Sequence, residues 1–537
     1  MNTKYIFVTG GVVSSVGKGI CTATMGRLFK SRGLKVSVQK FDPYINIDAG
    51  MLTPIQHGEI FITEDGAQGD LDLGHYERFV DINTTLLSDI TTGIIYDNVI
   101  KKERQGAYKG GTVQVIPHIT NEIIETLVKN SEEQAADISI VEIGGTVGDM
   151  EGLPYLEAIR QFKKRIGFDN VINVHLTLIP SVGTWNELKT KPTQHSVIKL
   201  RELGIQPDIL VCRTKSPISS DMKDKISLFC DVPKEAVIES CDVDTIYEIP
   251  LIYEKAGVAD YICKRFGIEK RPADLKKWTT MIDAIKHPKE KCNIAIVGKY
   301  VENGDAYLSL AEACKHGAVE LGNGVNILWV DTADFASHTP AELLKDADAI
   351  IVAPGFGERG AEAKIQAVRY ARENNIPFLG IAYGMQLAAV ETARNLCGLD
   401  KANSIEVDSK TPHPIVCARP SVSKYDNYGP CMRLGSFPCR LEEGSVIKSI
   451  YGSELIYERH RHRYDLNNKY KAALAEAGML CTGFSPDNTI VEVIERRDHP
   501  FFVGVSYNPE YKSRPDVPHP LFLAFIKKAF EYKHGKQ

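Results

Sequence analysis

Tyr5-Ile6-Phe7-Val8-Thr9-Gly10-Gly11-Val12-Val13-Ser14-Ser15-Val16-Gly17-Lys18-Gly19-Ile20 is the stretch on which the fold turns. Tyr5–Thr9 is a continuous apolar run of strand type, Gly10–Gly17 is a glycine-rich turn, and a helical pattern follows. Strand, turn and helix N-terminus together make a phosphate cradle, in which backbone N–H groups and the helix dipole face an anion. Lys18 adds a point charge for β/γ-phosphates. The match to G-x-x-x-x-G-K-[ST] departs at two positions: Val12 stands where the first glycine belongs, and Gly19 replaces the Ser/Thr that usually ligates Mg²⁺. A Gly-Lys after a strand also occurs by chance, so this stretch alone leaves a nucleotide site and an ordinary βα turn both open. If it is a nucleotide site, carboxylates elsewhere must hold the metal.

Further short apolar, β-branched runs alternate with longer amphipathic stretches, the signature of βα units around a parallel sheet. In the first half the strand candidates are Tyr5–Thr9, Lys35–Lys40, Ile138–Ile143, Val171–Ile179, Ile209–Arg213 and Ala236–Glu239. They are mostly continuous apolar runs, as expected for strands covered on both faces. From Phe266 to Cys292 the chain turns polar and charged, which reads as a linker with one short helix near Ala273–Ile285. A second α/β series follows with strands at Asn293–Val297, Val325–Val330, Ala349–Val352 and Pro377–Ile381; Cys397–Val446 is richer in Pro, Ser and Gly and reads as loops or short strands. The architecture is two α/β domains joined by a linker.

A length of 537 residues has room for two or more cores, and 43% hydrophobic with 25% charged residues is ordinary globular composition. A formal net charge of −5 without a clustered basic surface gives no reason to expect nucleic acid. No run approaches the ~20 apolar residues of a membrane span, and Met1–Tyr5 leads into a strand pattern rather than a signal peptide. The 12 cysteines are scattered from Cys21 to Cys481 with no Cys-x-x-Cys pair, which argues against a disulfide framework and a structural zinc site. Reduced thiols in a cytoplasmic protein are the expectation.

Two acidic segments can serve the phosphate loop. Asp70-Leu71-Asp72 offers paired acids, although Asp72 also reads as an exposed turn residue. Glu142 lies inside the apolar strand Ile138–Ile143, where a carboxylate is costly unless paired or metal-bound. Lys189-Thr190-Lys191-Pro192-Thr193-Gln194-His195 gathers cations and hydroxyls in a form that suits a second set of phosphates, or a solvated basic loop.

Together these segments resemble CTP synthase from the first residues to the last. The carriers are Tyr5–Ser15, Asp42–Asn46, Pro54–Glu59, Asp70–Phe79, Thr112–Asn121, Val141–Asp149, Lys189–Val197 and Ile205–Arg213. The imperfect loop is that family's own form. The resemblance implies an N-terminal P-loop-type doubly wound parallel sheet over 1–266, a linker at 267–291, and a class I glutamine-amidotransferase-like α/β domain over 292–537. It implies ATP-dependent phosphorylation of UTP at O4, followed by displacement of phosphate by ammonia to give CTP. Lys18, Lys40 and His57 fall at catalytic positions, His57 with Pro54 and Ile60 where the ammonia passage enters. Ser15, Val16, Gly17, Lys18, Gly19, Ile20, Asp72, Arg213, Asp242 and Val243 fall at the ATP site. Ser14, Asp149, Glu151, Lys189, Thr190, Lys191, Gln194 and Lys225 fall at the UTP/CTP site, and Asp72 and Glu142 at Mg²⁺. CTP as feedback inhibitor, a homotetramer and filaments are implied in the same way.

The second half departs from that pattern. The family's elbow reads Gly-Ile-Cys-Leu-Gly-Met-Gln, with a His-Pro-Glu further on. Here Gly380-Ile381-Ala382-Tyr383-Gly384-Met385-Gln386 has alanine for the nucleophile, and Ser506-Tyr507-Asn508-Pro509-Glu510 has asparagine for the base, leaving Glu510 alone of the triad. A methyl group cannot attack an amide, and a carboxamide takes no proton at neutral pH. Pro354 removes one backbone N–H beside the oxyanion hole. Gly355, Gln386, Glu406 and Arg463 remain where the family binds glutamine. Tyr383 is a weak nucleophile without a base. Alternate strand residues point to opposite faces, which argues against metal at His460-Arg461-His462. The expectation is an ammonia-dependent CTP synthase with a dead glutaminase domain and little response to GTP. The competing reading is a non-catalytic nucleotide-binding or assembly subunit.

Overall fold

The computed structural model describes residues 3–183, 187–419, 425–426 and 429–536. The chain divides into two compact units: Met1–Met51 with Asp72–Ile282, and Leu52–Leu71 with Asp283–Gln537.

The first unit is built on seven strands: β1 (Lys4–Gly10), β2 (Val36–Asp42), β3 (Asp89–Thr91), β4 (Ile138–Ile143), β5 (Val171–Leu178), β6 (Ile209–Thr214) and β7 (Val237–Cys241). Their order across the sheet is β7-β6-β5-β1-β4-β2-β3, and every pair is parallel. β1, β2 and β4 are buried nearly throughout, which is why they read as unbroken apolar runs rather than alternating ones. β1 lies between β4 and β5, with the chain winding to β2 and β3 on one side and to β6 and β7 on the other. Such a reversal leaves a crevice at the carboxyl ends of the strands. Those ends carry Gly10, Lys40–Asp42 and Glu142–Ile143.

The second unit has a nine-stranded mixed sheet. Its strands are β8 (Lys291–Gly298), β9 (Gly324–Asp331), β10 (Ala349–Val352), β11 (Phe378–Ile381), β12 (Arg433–Leu441), β13 (Leu455–His462), β14 (Met479–Phe484), β15 (Val491–Arg496) and β16 (Phe502–Val505). In the order β9-β8-β10-β11-β16-β15-β14-β12-β13, the first five are parallel and the rest antiparallel.

Two features differ from the sequence reading. Leu52–Leu71 belongs with the second unit. Glu59 N donates to Asp305 O at 2.8 Å and its carboxylate accepts from Ser309 N at 2.8 Å; Tyr511 Oη donates to Ile60 O at 3.0 Å. Arg459, fully buried, donates to Glu64 Oε2 at 2.8 Å and Ile62 O at 3.0 Å. The short helix expected near Ala273–Ile285 is present as Lys276–Lys286, but it is packed into the fold, which the polar composition of the stretch did not suggest. The helix Lys276–Lys286 buries Trp278, Met281 and Ile282, and Trp278 Nε1 donates to Tyr247 O at 2.8 Å. Those three apolar residues at i, i+3 and i+4 form a helical face that the surrounding charges mask. Cys397–Val446 includes strands Ala402–Ser404, His413–Cys417 and β12, while 420–424 and 427–428 within it lie outside the described residues, as do Met1 and Asn2. Among the described residues no helix is long and apolar enough to cross a membrane.

Candidate functional site

β1 delivers the chain into the loop through Gly10 and Gly11. Val12 and Ser15 take left-handed φ values of 78° and 56°, and Gly17 leads into the helix Lys18–Lys30 at φ 102°. No side-chain hydrogen bond caps this helix start, so its first N–H groups face the loop as an anion cradle requires. Ser14 and Ser15 are exposed on the loop. Lys18, at the head of the helix, is buried and its Nζ donates to Gly145 O at 2.7 Å.

Gly19 has a local reason. A Cβ there would overlap Asp72 Oδ1, so the carboxylate occupies the volume that a Ser/Thr side chain would fill. The departure from the usual loop pattern is thus matched by an acid from elsewhere in the chain. Lys40 Nζ sits 2.7 Å from Asp72 Oδ2 and 3.3 Å from Asp42 Oδ1. Burial pushes the Asp72 carboxyl up, but the Lys40, His75 and Lys18 charges more than offset it and hold it low. Glu142 is buried in β4, opposite Lys40 across the β2–β4 ladder. Burial, with the Asp72 charge, pushes its carboxyl up to about 7. Tyr76 Oη donates to Glu142 Oε2 at 2.6 Å. Tyr76 and Asp42 were not identified from the sequence. Tyr76 lies four residues after Asp72 on the helix Asp72–Val80, a spacing that puts the two on one face.

Beside the loop, Arg213 Nη1 donates to Ser15 O and Val16 O at 3.3 Å each, and Nε faces Asp242 Oδ1 at 3.3 Å. Val16, Gly17, Ile20, Arg213, Asp242 and Val243 line a cleft of ≈ 690 Å³ that opens to solvent. Six of the ATP-site candidates are therefore brought together in one cleft beside the loop. Of the second nucleotide segment, Thr190 and Gln194 are buried, with Gln194 Nε2 donating to Thr190 Oγ1 at 3.1 Å. Lys189 Nζ faces Glu187 Oε1 at 2.6 Å. Lys191 is exposed on the first turn of the helix Lys191–Glu202, against which the helix Ser220–Cys230 packs with Lys225 exposed. Asp149 and Glu151 are exposed after β4, and Asp149 Oδ2 accepts from Thr146 N at 3.0 Å. His57, on the short helix Pro54–His57, belongs to the second unit.

In the second unit, β11 turns sharply into the helix Tyr383–Asn395 at Ala382, whose φ of 48° and ψ of −102° are strained for a residue with a Cβ. Added Cβ atoms at Gly380 and Gly384 would strike the Gly384 backbone and Val352 O, so the turn keeps the tight form of a nucleophile elbow. Asn508 Nδ2 donates to Glu510 Oε1 at 2.8 Å, both residues buried. Tyr383 Oη donates to Gly357 O at 2.7 Å, and burial pushes its phenol up. Glu406 Oε1 accepts from Gly357 N at 2.8 Å, and Gln386 Nε2 donates to Tyr464 O at 2.8 Å. Lys364, which the sequence did not single out, is buried with Nζ donating to Ala353 O at 2.6 Å and Pro354 O at 3.2 Å. Burial, with the Lys299 charge, lowers its ammonium to about 7.

His460 and His462 do not point to opposite faces, as the alternation expected from the sequence had them, but share one face of β13. Residues i and i+2 of a strand share a face, and the two rings lie 5.4 Å apart between centroids. Three of the four ring nitrogens have partners: His460 Nδ1 lies 2.9 Å from Glu458 O and Nε2 3.0 Å from Glu492 Oε2, Glu492 Oε1 accepts from Arg433 at 2.6 Å, and His462 Nδ1 lies 3.0 Å from Tyr464 O, while His462 Nε2 is buried without one. Among the described residues no group of three His, Cys, Asp or Glu is placed to hold a metal ion.

Burial pushes the Glu510 carboxyl up to about 8 from its ordinary 4.5. Between those values the folded chain keeps a proton that the unfolded chain has released. The contribution of this group to stability is therefore greatest at low pH and is lost as pH rises toward 8. Glu510→Gln removes the titration. The melting temperature of E510Q is expected to fall less than that of the parent between about pH 5 and 8; equal slopes would show an ionised Glu510 in the folded protein.

Residues 4–268 match the family model for the CTP synthase N-terminus, and residues 303–528 that for glutamine amidotransferase class-I. The CTP synthase of Ruminiclostridium cellulolyticum is 54% identical over 533 residues, covering 99% of this chain and 100% of that one. The chain belongs to the CTP synthase family. The CTP synthase of Caldanaerobacter subterraneus is likewise 54% identical over 530 residues, covering 99% of each chain, and that of Halalkalibacterium halodurans 53% over 527. The solved glutaminase domain of Trypanosoma brucei CTPS with bound acivicin is 34% identical, with a TM-score of 0.42, covering 45% of this chain and 94% of that one. Membership in the CTP synthase family accounts for two α/β units, a parallel N-terminal sheet and a C-terminal amidotransferase-like sheet, in one chain.

Proposed function

We propose that this chain aminates UTP to CTP at the expense of ATP, takes free ammonia as its nitrogen source, and does not hydrolyse glutamine. The observation that carries the last part is Ala382: a methyl group stands on a retained elbow, with a carboxamide at Asn508 where a base would act. The γ-phosphoryl group of ATP passes to O4 of UTP, ADP leaves, and ammonia attacks C4. The C4–O4 bond then breaks with its electrons on phosphate, and the nitrogen releases a proton. A uracil carbonyl is a poor electrophile, and phosphorylation makes its oxygen a leaving group, so the protein contributes mainly position and charge.

Lys18 and Lys40 neutralise phosphate oxygens, and the cleft beside Arg213, Asp242 and Val243 takes the adenosine. Ser14, Asp149, Glu151, Lys189, Thr190, Lys191, Gln194 and Lys225 take the second nucleotide, and the same site admits CTP as an inhibitor. Asp72 and Glu142 suit Mg²⁺, since both offer carboxylate oxygens beside the loop, Asp72 fills the place of the missing Ser/Thr, and Mg²⁺ is commonly held by one or two carboxylates plus phosphates and water. Bound there, the ion would offset charge on the transferring phosphoryl group. His57, Pro54 and Ile60 lie on the path of ammonia. Gly355, Gln386, Glu406 and Arg463 are remnants of a glutamine pocket, and assembly is a homotetramer of the family type.

The test is CTP formation from ATP and UTP with either ammonium or glutamine. Ammonium is expected to support a rate at least ~10²-fold above that with glutamine, given the loss of nucleophile and base together. Rates within about tenfold of each other would overturn the glutaminase part. No CTP from either donor would overturn the synthetase part and leave a nucleotide-binding subunit.

A further inference from the structure

Beneath the phosphate loop lies a buried polar seam that the reaction does not use. β5 carries Asn173, His175 and Thr177 on one face, all buried, amid apolar neighbours. Two of them bond to the helix Lys191–Glu202: Thr193 Oγ1 donates to Thr177 Oγ1 at 3.1 Å, and Ser196 Oγ lies 2.7 Å from His175 Nε2. The other ring nitrogen, Nδ1, lies 2.8 Å from Thr9 Oγ1, in β1 just before the loop. Gly11 seals the arrangement, since a Cβ there would overlap Ser196 Oγ and come within 3.0 Å of His175 Nε2.

We infer that Thr9, His175 and Ser196 are positioning residues that set the spacing between the ATP loop and the turn carrying the second nucleotide. This rests on the nucleotide assignment proposed above. An apolar contact between strand and helix would satisfy burial equally well and would tolerate sliding by fractions of a turn. A buried imidazole bonded at both nitrogens allows one register, because any slip leaves unpaired polar groups in the interior. His175 touches one element of each site: β1 runs directly into Gly10, and Ser196 lies five residues after Lys191 on its helix. Burial, then the Lys18 charge, lowers the imidazole to about 3. It is therefore neutral at working pH, with one nitrogen donating and the other accepting, and reads as a fixed link rather than a proton carrier.

Transfer between two bound triphosphates is sensitive to such spacing, where a 1 Å error can cost ~10²-fold. Thr9→Val and Ser196→Ala each remove one hydroxyl with little change of volume, and Thr9→Ser restores the hydroxyl at the first position. With ammonium as donor, T9V and S196A are expected to lose roughly 10–10²-fold in kcat, with KM for ATP and UTP within about threefold of the parent. T9S is expected to keep most of the rate. Loss of melting temperature with kcat within about threefold of the parent in both variants would overturn the inference. Equal losses in T9V and T9S would do the same. If T9V does not fold, S196A decides. A parent protein that makes no CTP from ammonium would overturn the nucleotide assignment instead.

Discussion

Ala382→Cys combined with Asn508→His is expected to return glutamine hydrolysis, raising the rate on the order of 10³-fold over the parent, while each single change leaves it within about tenfold. The reason is that the elbow has been kept although its nucleophile is gone. Ala382 holds a φ of 48°, its N donates to Val505 O at 2.7 Å, and Gly380 and Gly384 leave no room for side chains. A thiol placed on that Cβ inherits the tight strand-to-helix geometry of the turn. Asn508 Nδ2 already bonds Glu510 Oε1 at 2.8 Å, in the manner of an imidazole N–H held by a carboxylate.

The electrostatics favour the same outcome. Glu510 is held neutral because burial costs its charge and a carboxamide offers it no compensating cation. An imidazolium at 508 would supply that cation and draw the carboxyl back toward ionisation. The two substitutions depend on each other, since a thiol without a base stays protonated and a base without a nucleophile has nothing to activate. Steady-state glutamate release by the parent, both singles and the double variant checks this. A double variant no faster than the singles would move the defect to Ala353–Gly357, where Pro354 lacks the backbone N–H.

How legible this was depended on whether a feature is local. β1 and its loop are short-range pattern, and β2, β4, β5, β6 and β7 fall within two residues of their expected bounds. Glu142 announced itself because a carboxylate inside an apolar strand demands a partner. The changes at Ala382 and Asn508 were readable for the same reason, each lying in a contiguous motif. Three-residue β3 carries too few residues for a pattern. Arg459 and its partners on Leu52–Leu71 were not legible, because they lie about 400 residues apart and no periodicity links them. Trp278, Met281 and Ile282 were hidden by the charges around them. Gly19 falls between these cases: the absence of Ser/Thr was visible, but its cause, the Asp72 carboxylate against the helix start, exists only in the fold.

Lys18→Met is expected to lower kcat/KM for ATP in the ammonium reaction by about 10³-fold or more. Methionine keeps the length and apolar body of the side chain, so the buried stem is still packed and the change is confined to the charge. Lys18 Nζ donates to Gly145 O at 2.7 Å, on the turn that follows Glu142. Lys40, by contrast, is held between Asp72 and Asp42, so part of its charge is already offset. The direct partner of Lys18 is thus a neutral carbonyl, and a phosphate arriving there exchanges it for a charged one. Preorganised charge of this kind acts most strongly where phosphoryl oxygens gain charge during transfer. Asp72 should respond as well, since the Lys18 charge helps hold its carboxyl low. Initial rates at varied ATP, with melting curves as a folding control, check the expectation. A variant that melts with the parent and retains kcat/KM within about tenfold would remove Lys18 from the phosphate site.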